Sequence, residues 1–270
     1  MTLTCKTAGE SHGPCGIALI EGLPAGLSLD IAFINSELAR RQGGYGRGAR
    51  QAIETDTVTF LSGVRLGKTT GAPLVIQIAN KDSRLDDFEA TPPIHKPRPG
   101  HADLAGSIKW LTNDCRNTLE RASARETAAR TCAGAIARCL LREFNIEVFG
   151  FVRGMLDVVA PTEVTPENWR AIRALRDDSS TNCPDDASCK AIIANIRSAK
   201  ENKDTVGGLC ETHVFGCPPG LGSCVQWNEK LDSKLAGAVV GIQAFKSVEI
   251  GLGAECGRRF GSKVHDPIVF

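Results

Sequence analysis

Two histidines stand in settings suited to proton transfer. His12 lies in the run GESHG (9–13) and His101 in RPGHAD (98–103). Both fall in loops, beside glycines and polar residues rather than on an apolar helix face. An imidazole, with a reference pKa of about 6.5, titrates where a general acid or base must work. GESHG also fits the G-x-S-x-G pattern of a serine hydrolase elbow, which would make Ser11 a nucleophile. The surroundings oppose that reading. An elbow joins a strand to a helix, whereas only eight residues precede Gly9 and the run at 16–21, GIALIE, reads as a short apolar strand. GESHG then reads as a turn, in which His12 is either a hydrogen-bonded, inert residue or a chemical group according to the company it keeps.

Arginines gather around the same loops. Arg41 and Arg47 flank the glycine-rich basic stretch 43–50, Arg98 shares the proline-rich loop with His101, and Arg116, Arg121 and Arg125 surround a predicted helix start at Ser123. Guanidinium groups bind phosphate and carboxylate bidentately, and a helix N-terminus adds N–H donors, so the set describes a polyanion pocket. Two other patterns lead nowhere. GVRLGKT (63–69) has three residues between its glycines where a P-loop has four, and it links strand to strand. Cys210, Cys217 and Cys224 contain no C-x-x-C pair, so no zinc site is expected.

Elements must hold these groups in place. Asp30 caps a predicted helix over 30–41 with Ile31, Ile34 and Leu38 on one face, ending at Gly43-Gly44. Strands are expected at 57–62, 73–79 and 146–150, and His213 falls in a strand-like run, 211–215, with a structural role. Prolines at 92, 93, 97 and 99 stiffen the loop before His101. Ser123-Ala-Arg-Glu126 reads as a capping box opening the strongest helix, whose small apolar face carries Ala124, Ala128, Cys132, Ala135, Cys139 and Leu140. Two helices are expected within a polar excursion at 161–203, another over 230–242, and a strand over 248–250. Interleaved helices and short strands suited to antiparallel pairing predict an α+β fold. The expectation is a single domain, 1–270, with 161–203 as a peripheral helical excursion.

Bulk composition narrows the partners. The 32 Lys and Arg residues balance 31 Asp and Glu, which gives no footprint for nucleic acid or a membrane surface. Eleven cysteines in a 270-residue chain without a charged-then-apolar leader point to a reducing cytoplasm rather than a disulfide scaffold. No apolar run approaches the roughly 18 residues of a membrane span.

With these residues in view, the chain resembles the chorismate synthase family. TAGESHGP (7–14), RRQGGYGR (40–47), LSGVRLGKTTGAP (61–73), RPGHAD (98–103), ERASARETAAR (120–130), PPGLG (218–222) and QAFKSVEIG (243–251) stand in that family's order and approximate spacing. The resemblance implies a sandwich of antiparallel sheets and helices, assembled as a homotetramer. It implies conversion of 5-enolpyruvylshikimate 3-phosphate, a small-molecule substrate, to chorismate by 1,4-elimination of phosphate. Reduced FMN is required without net redox change, and NADPH is a possible reductant. By the same resemblance His12 acts on the reduced flavin and His101 protonates the departing phosphate. Arg41, Arg47, Arg98, Arg125 and Ser11 serve substrate or NADP binding; Arg121, Ala122, Ser123, Gln243 and Ala244 serve flavin binding. Departures are Lys246-Ser247, where the family has Lys-Gly, and Lys203-Asp-Thr205, where it has Gly-Asp-Ser. The family also continues past the position of Phe270 into a further glycine-rich flavin segment, so the chain is expected to be C-terminally incomplete relative to it. Competing readings are a phosphate- or flavin-binding relative without catalysis and an NADPH-dependent flavin reductase.

Overall fold

The computed structural model describes residues 2–48 and 54–268. Short, largely apolar strands build one antiparallel sheet in the order β1-β2-β6-β3, from β1 (Thr4–Ala8), β2 (Cys15–Glu21), β3 (Thr59–Ser62) and β6 (Leu74–Ala79). Side chains alternate faces along a strand, so Leu74, Ile76 and Ile78 of β6 and Ala18 and Ile20 of β2 all turn inward. Helices α1 (Ile31–Gln42) and α4 (Thr127–Arg142) close over that face with Ile34, Leu38, Cys132 and Ile136. Each fully buried aliphatic side chain contributes roughly 1.5–3 kcal/mol. The P-loop-like segment forms a small hairpin instead, β4 (Val64–Arg65) with β5 (Lys68–Thr69).

Asp30 caps α1 as predicted, accepting from the backbone N–H of Phe33. Two details differ from expectation. Ile31, the first residue of the helix, is exposed, while Ile34 and Leu38 are buried. At Ser123 the capping box is not reciprocal. The Ser123 hydroxyl accepts from Arg125 N and opens a 3-10 turn, Ala124–Glu126, before α4 begins; Ala124 is exposed, and the Glu126 carboxylate instead accepts the Thr7 hydroxyl at 2.5 Å. A tertiary hydrogen bond has outcompeted the local one.

Two short helices that the sequence reading did not separate from loop follow the proline-rich stretch: α2 (Asp103–Trp110) and α3 (Arg116–Ala122). A second sheet, β8-β7-β9, is built from β7 (Glu147–Met155), β8 (Val158–Val159) and β9 (Leu209–Phe215). The 161–203 segment supplies α5 (Trp169–Asp178) and α6 (Asp186–Glu201). Trp169 of α5 packs with Phe149 and Phe151 of β7, and Ile192 of α6 with Ala160 and Cys183. His213 sits on β9 beside Glu211, stacked between Phe151 and Phe215.

The chain falls into two compact units, Met1–Cys217 and Pro218–Phe270. The second carries α7 (Leu231–Val240) and two 3-10 turns. The expected strand at 248–250 is not formed there, since Val248 to Ile250 pairs with no neighbouring strand among the described residues. No helix is long and apolar enough to cross a membrane among the described residues. Ala49 and Arg50 of the glycine-rich stretch, and Phe270, lie outside the described residues.

Candidate active site

GESHG is the connection of a β-hairpin, between β1 and β2, and not a strand-to-helix elbow. Gly9 is required in it: its φ is +100°, and a Cβ there would fall 2.2 Å from the Cys15 carbonyl oxygen. The loop is pinned from several sides. Asn80, just past β6, donates its side-chain amide to the Glu10 and Gly13 carbonyls, and Arg121 donates to the Gly9 carbonyl. Ser11 is buried, with its N–H donating to the Glu120 carbonyl at 2.9 Å. His12 is thereby presented from a fixed backbone. Its Nδ1 lies 2.7 Å from Glu120 Oε2, and its Nε2 lies 3.5 Å from Asp82 Oδ2. Glu120 Oε2 also accepts the His12 N–H at 3.2 Å, while Arg116 reaches Glu120 Oε1 at 3.0 Å. The Glu120 side chain is 1% exposed and that of His12 20%.

His101 has a smaller frame, drawn from one stretch of chain. Its Nδ1 lies 2.6 Å from Asp103 Oδ1; Arg98 donates to Asp103 Oδ2 from both its backbone N and its Nε at 3.0 Å. Asp103 is fully buried at the start of α2. Burial alone would raise its carboxyl, but the hydrogen bonds from the Arg98 side chain and backbone and from His101 outweigh it and bring the pKa down to about 2. The two frames adjoin, because α2 packs on α3 at Gly106, where a Cβ would fall 2.1 Å from Thr118 Oγ1.

Among the predicted arginines, Arg41, Arg47 and Arg125 form one cationic group. Burial lowers the Arg41 guanidinium from its usual range, Asp56 opposes that, and the charges of Arg125 and Arg47 press it further down. Arg41 and Arg125 converge on the buried Asp56, at 3.4 and 2.8 Å, and Arg125 also donates to Asn80 Oδ1 and the Ala79 carbonyl. Arg47 is exposed, donates to the Gly43 carbonyl, and lines a cleft of about 700 Å³ with Tyr45, Ile196, Lys200 and Lys203. Arg121 belongs to the hairpin instead, donating to Thr7 O and Thr7 Oγ1 besides Gly9. Ala122 and Ser123 end α3 beside it. Gln243 and Ala244 lie in the second unit after α7, Ala244 with a left-handed φ of 69°.

A family model described as chorismate synthase matches residues 3–270. The chain belongs to the chorismate synthase family. It is 50% identical to the chorismate synthase of Desulforamulus reducens, over 98% of this chain and 70% of that protein. It is 47% identical to the chorismate synthase of Streptococcus equi subsp. equi, over 98% and 71%. A crystal structure of a chorismate synthase superposes with a TM-score of 0.86 at 40% identity, covering all of this chain and 75% of that one. The chorismate synthase motifs RPGHAD and ERASARE thus fall at the start of α2 and across the end of α3, on the two helices that carry Asp103 and Glu120.

Sequence reasoning overlooked the acidic partners. Asp103 was legible, two residues from His101 inside one motif. Glu120 was half legible, as the i+4 partner of Arg116 on a helix. Asp56, Asp82 and Asn80 left no signal, since only tertiary packing brings Asp82 and Asn80 to the loop and Asp56 to Arg41 and Arg125.

Proposed function

We propose that the chain catalyses the 1,4-elimination of phosphate from 5-enolpyruvylshikimate 3-phosphate, with His12 and His101 as its proton-handling groups. The observation that carries this reading is that both imidazoles are partly exposed yet held by a buried carboxylate. His101 delivers a proton to the departing phosphate, and His12 exchanges one on the flavin side. Arg47 and Arg98, the exposed members of the arginine set, take the substrate's phosphate and carboxylate. Arg41 and Arg125 supply positive field from behind Asp56.

The family's reduced flavin must be accommodated too. Ala122 and Ser123 fit a contact wall: they are small, they end a helix, and the exposed Ala124 beyond them leaves backbone open to a ring system. Arg121, committed to Thr7 and Gly9, would hold that wall in place; Gln243 and Ala244, in the second unit, are flavin-binding positions by the family resemblance. Reduced FMN, when bound, supplies electron density to C–O cleavage without net redox change. NADPH as reductant, a homotetramer and a cytoplasmic site complete the reading; NADPH oxidation with FMN but no added reductant tests the first, and light scattering the second.

The deciding experiment is anaerobic turnover with chemically reduced FMN. Chorismate formed by the unsubstituted chain and lost in both His12→Ala and His101→Ala supports the assignment; binding of substrate without chorismate would leave a binding protein. Arg47→Lys keeps the charge and loses the planar fork, so substrate or nucleotide affinity should fall roughly tenfold, about 1.4 kcal/mol. Unchanged affinity for both ligands returns Arg47 to an ordinary surface cation.

A further inference from the structure

The two histidine frames repeat one arrangement on two adjoining helices. In each, imidazole Nδ1 lies 2.6–2.7 Å from one oxygen of a carboxylate whose side chain is at most 1% exposed. In each, an arginine lies 3.0 Å from that carboxylate's other oxygen, Arg116 on Glu120 and Arg98 on Asp103. We propose that Glu120 and Asp103 are positioning residues, each accepting the Nδ1 proton of its imidazole and so leaving Nε2 as the nitrogen that exchanges protons with the bound ligands. The inference rests on the proton-transfer reading of the two histidines and adds to it which nitrogen works and what decides that.

The chemistry is short. An ionised carboxylate only accepts, and each of these lies against an arginine on its other oxygen, so the ring nitrogen facing it is the one that carries hydrogen. A neutral imidazole carries one hydrogen; the carboxylate at 2.6–2.7 Å takes it on Nδ1, and Nε2, which at His12 faces Asp82 at the longer distance of 3.5 Å, is left as the base that takes up a proton and passes it on. A carboxylate that fixes tautomer and ring orientation in this way is the role of the acidic member of a serine protease triad, where exchanging it for the amide inverts the tautomer. Burial adds precision. Glu120 holds the His12 backbone N–H as well as the ring, so the imidazole is located at both ends of its side chain. At Asp103, the backbone N–H of Arg98 locates the carboxylate itself.

The test reads the tautomers directly in the full chain labelled with 15N-histidine, using two-bond 15N–1H correlations at a pH where the rings are neutral. The five histidines are assigned with His12→Gln and His101→Gln. The unsubstituted chain should show hydrogen on Nδ1 for both His12 and His101. In Asp103→Asn the amide oxygen stays with the Arg98 donors and the NH2 turns to the imidazole, so His101 should switch to hydrogen on Nε2. Turnover should fall about 10²–10⁴-fold with little change in KM. Glu120→Gln should switch His12 in the same way. A merely structural role would leave the tautomer alone, so an unaltered tautomer in the amide variants overturns the inference. Hydrogen on Nε2 in the unsubstituted chain overturns it without any variant. A switched tautomer at full turnover leaves the hydrogen bond standing and sinks instead the assignment of His101 to the reaction.

Discussion

The frames around His12 and His101 do similar work with opposite construction. His101, Arg98 and Asp103 lie within six consecutive residues, and the whole frame is made by one stiff loop turning into α2. His12 is held by a carboxylate 108 residues away, on α3, and is approached on its other side by Asp82 from beyond β6. Glu120 holds His12 Nδ1 at 2.7 Å while Asp82 stands 3.5 Å from its Nε2, whereas Asp103 holds His101 at Nδ1. The difference teaches that a local frame is robust to changes elsewhere in the fold, while the long-range frame depends on how helix and sheet are docked.

Several measurements would break or sharpen that contrast. The largest effect is expected from deleting the rings themselves: His12→Ala and His101→Ala should each lower turnover about 10²–10⁴-fold while substrate binding changes little. A loss under threefold at either position, by steady-state assay, removes that histidine from the mechanism. Next comes the seam joining the frames. Gly106→Ala would drive a methyl group into Thr118 and should cost about 1–3 kcal/mol in urea denaturation. If the frames are independent, its effect on the His101 tautomer should be nil; a shift there would mean that the local frame also leans on α3.

Acid sensitivity separates the frames further. The Asp103 pKa is depressed to about 2 from an ordinary 3.8, so the bonds it makes stabilise the fold fully above pH 3.8. That contribution is lost as pH falls from 3.8 toward about 2. Allowing for water around the half-exposed Arg98, its size is on the order of 1–2 kcal/mol. Denaturation midpoints followed from pH 5 to pH 2 should therefore fall less steeply in Asp103→Asn than in the unsubstituted chain; parallel slopes would contradict the depressed pKa. The smallest effect concerns the arginines. Arg98 is 49% exposed and Arg116 15%. Arg98→Lys should cost under about 1 kcal/mol, as exposed pairs do. Arg116→Lys, which gives up a fork spanning Glu120 and the Pro92 carbonyl, should cost more. Equal costs would erase the distinction between a solvent-side and a core-side frame.

What the sequence by itself determined is whatever chain connectivity holds at short range. The Asp30 cap and the burial of Ile34 and Leu38 at helical spacing rest on neighbours a few residues apart, and each is found where the pattern put it; the Arg98–His101–Asp103 contacts likewise join residues inside one motif. The family was legible for the same reason, through motifs written in consecutive residues. Only the tertiary structure decided what those residues face. It sent Glu126 to Thr7 instead of back to Ser123, and among the described residues it left 248–250 without a strand to pair with. It also set Glu120 against His12 and Asp56 between Arg41 and Arg125. The physical reason is that a hydrogen bond between distant residues costs chain entropy that only the collective packing of α1, α3 and α4 on the sheet repays, so no local pattern announces it.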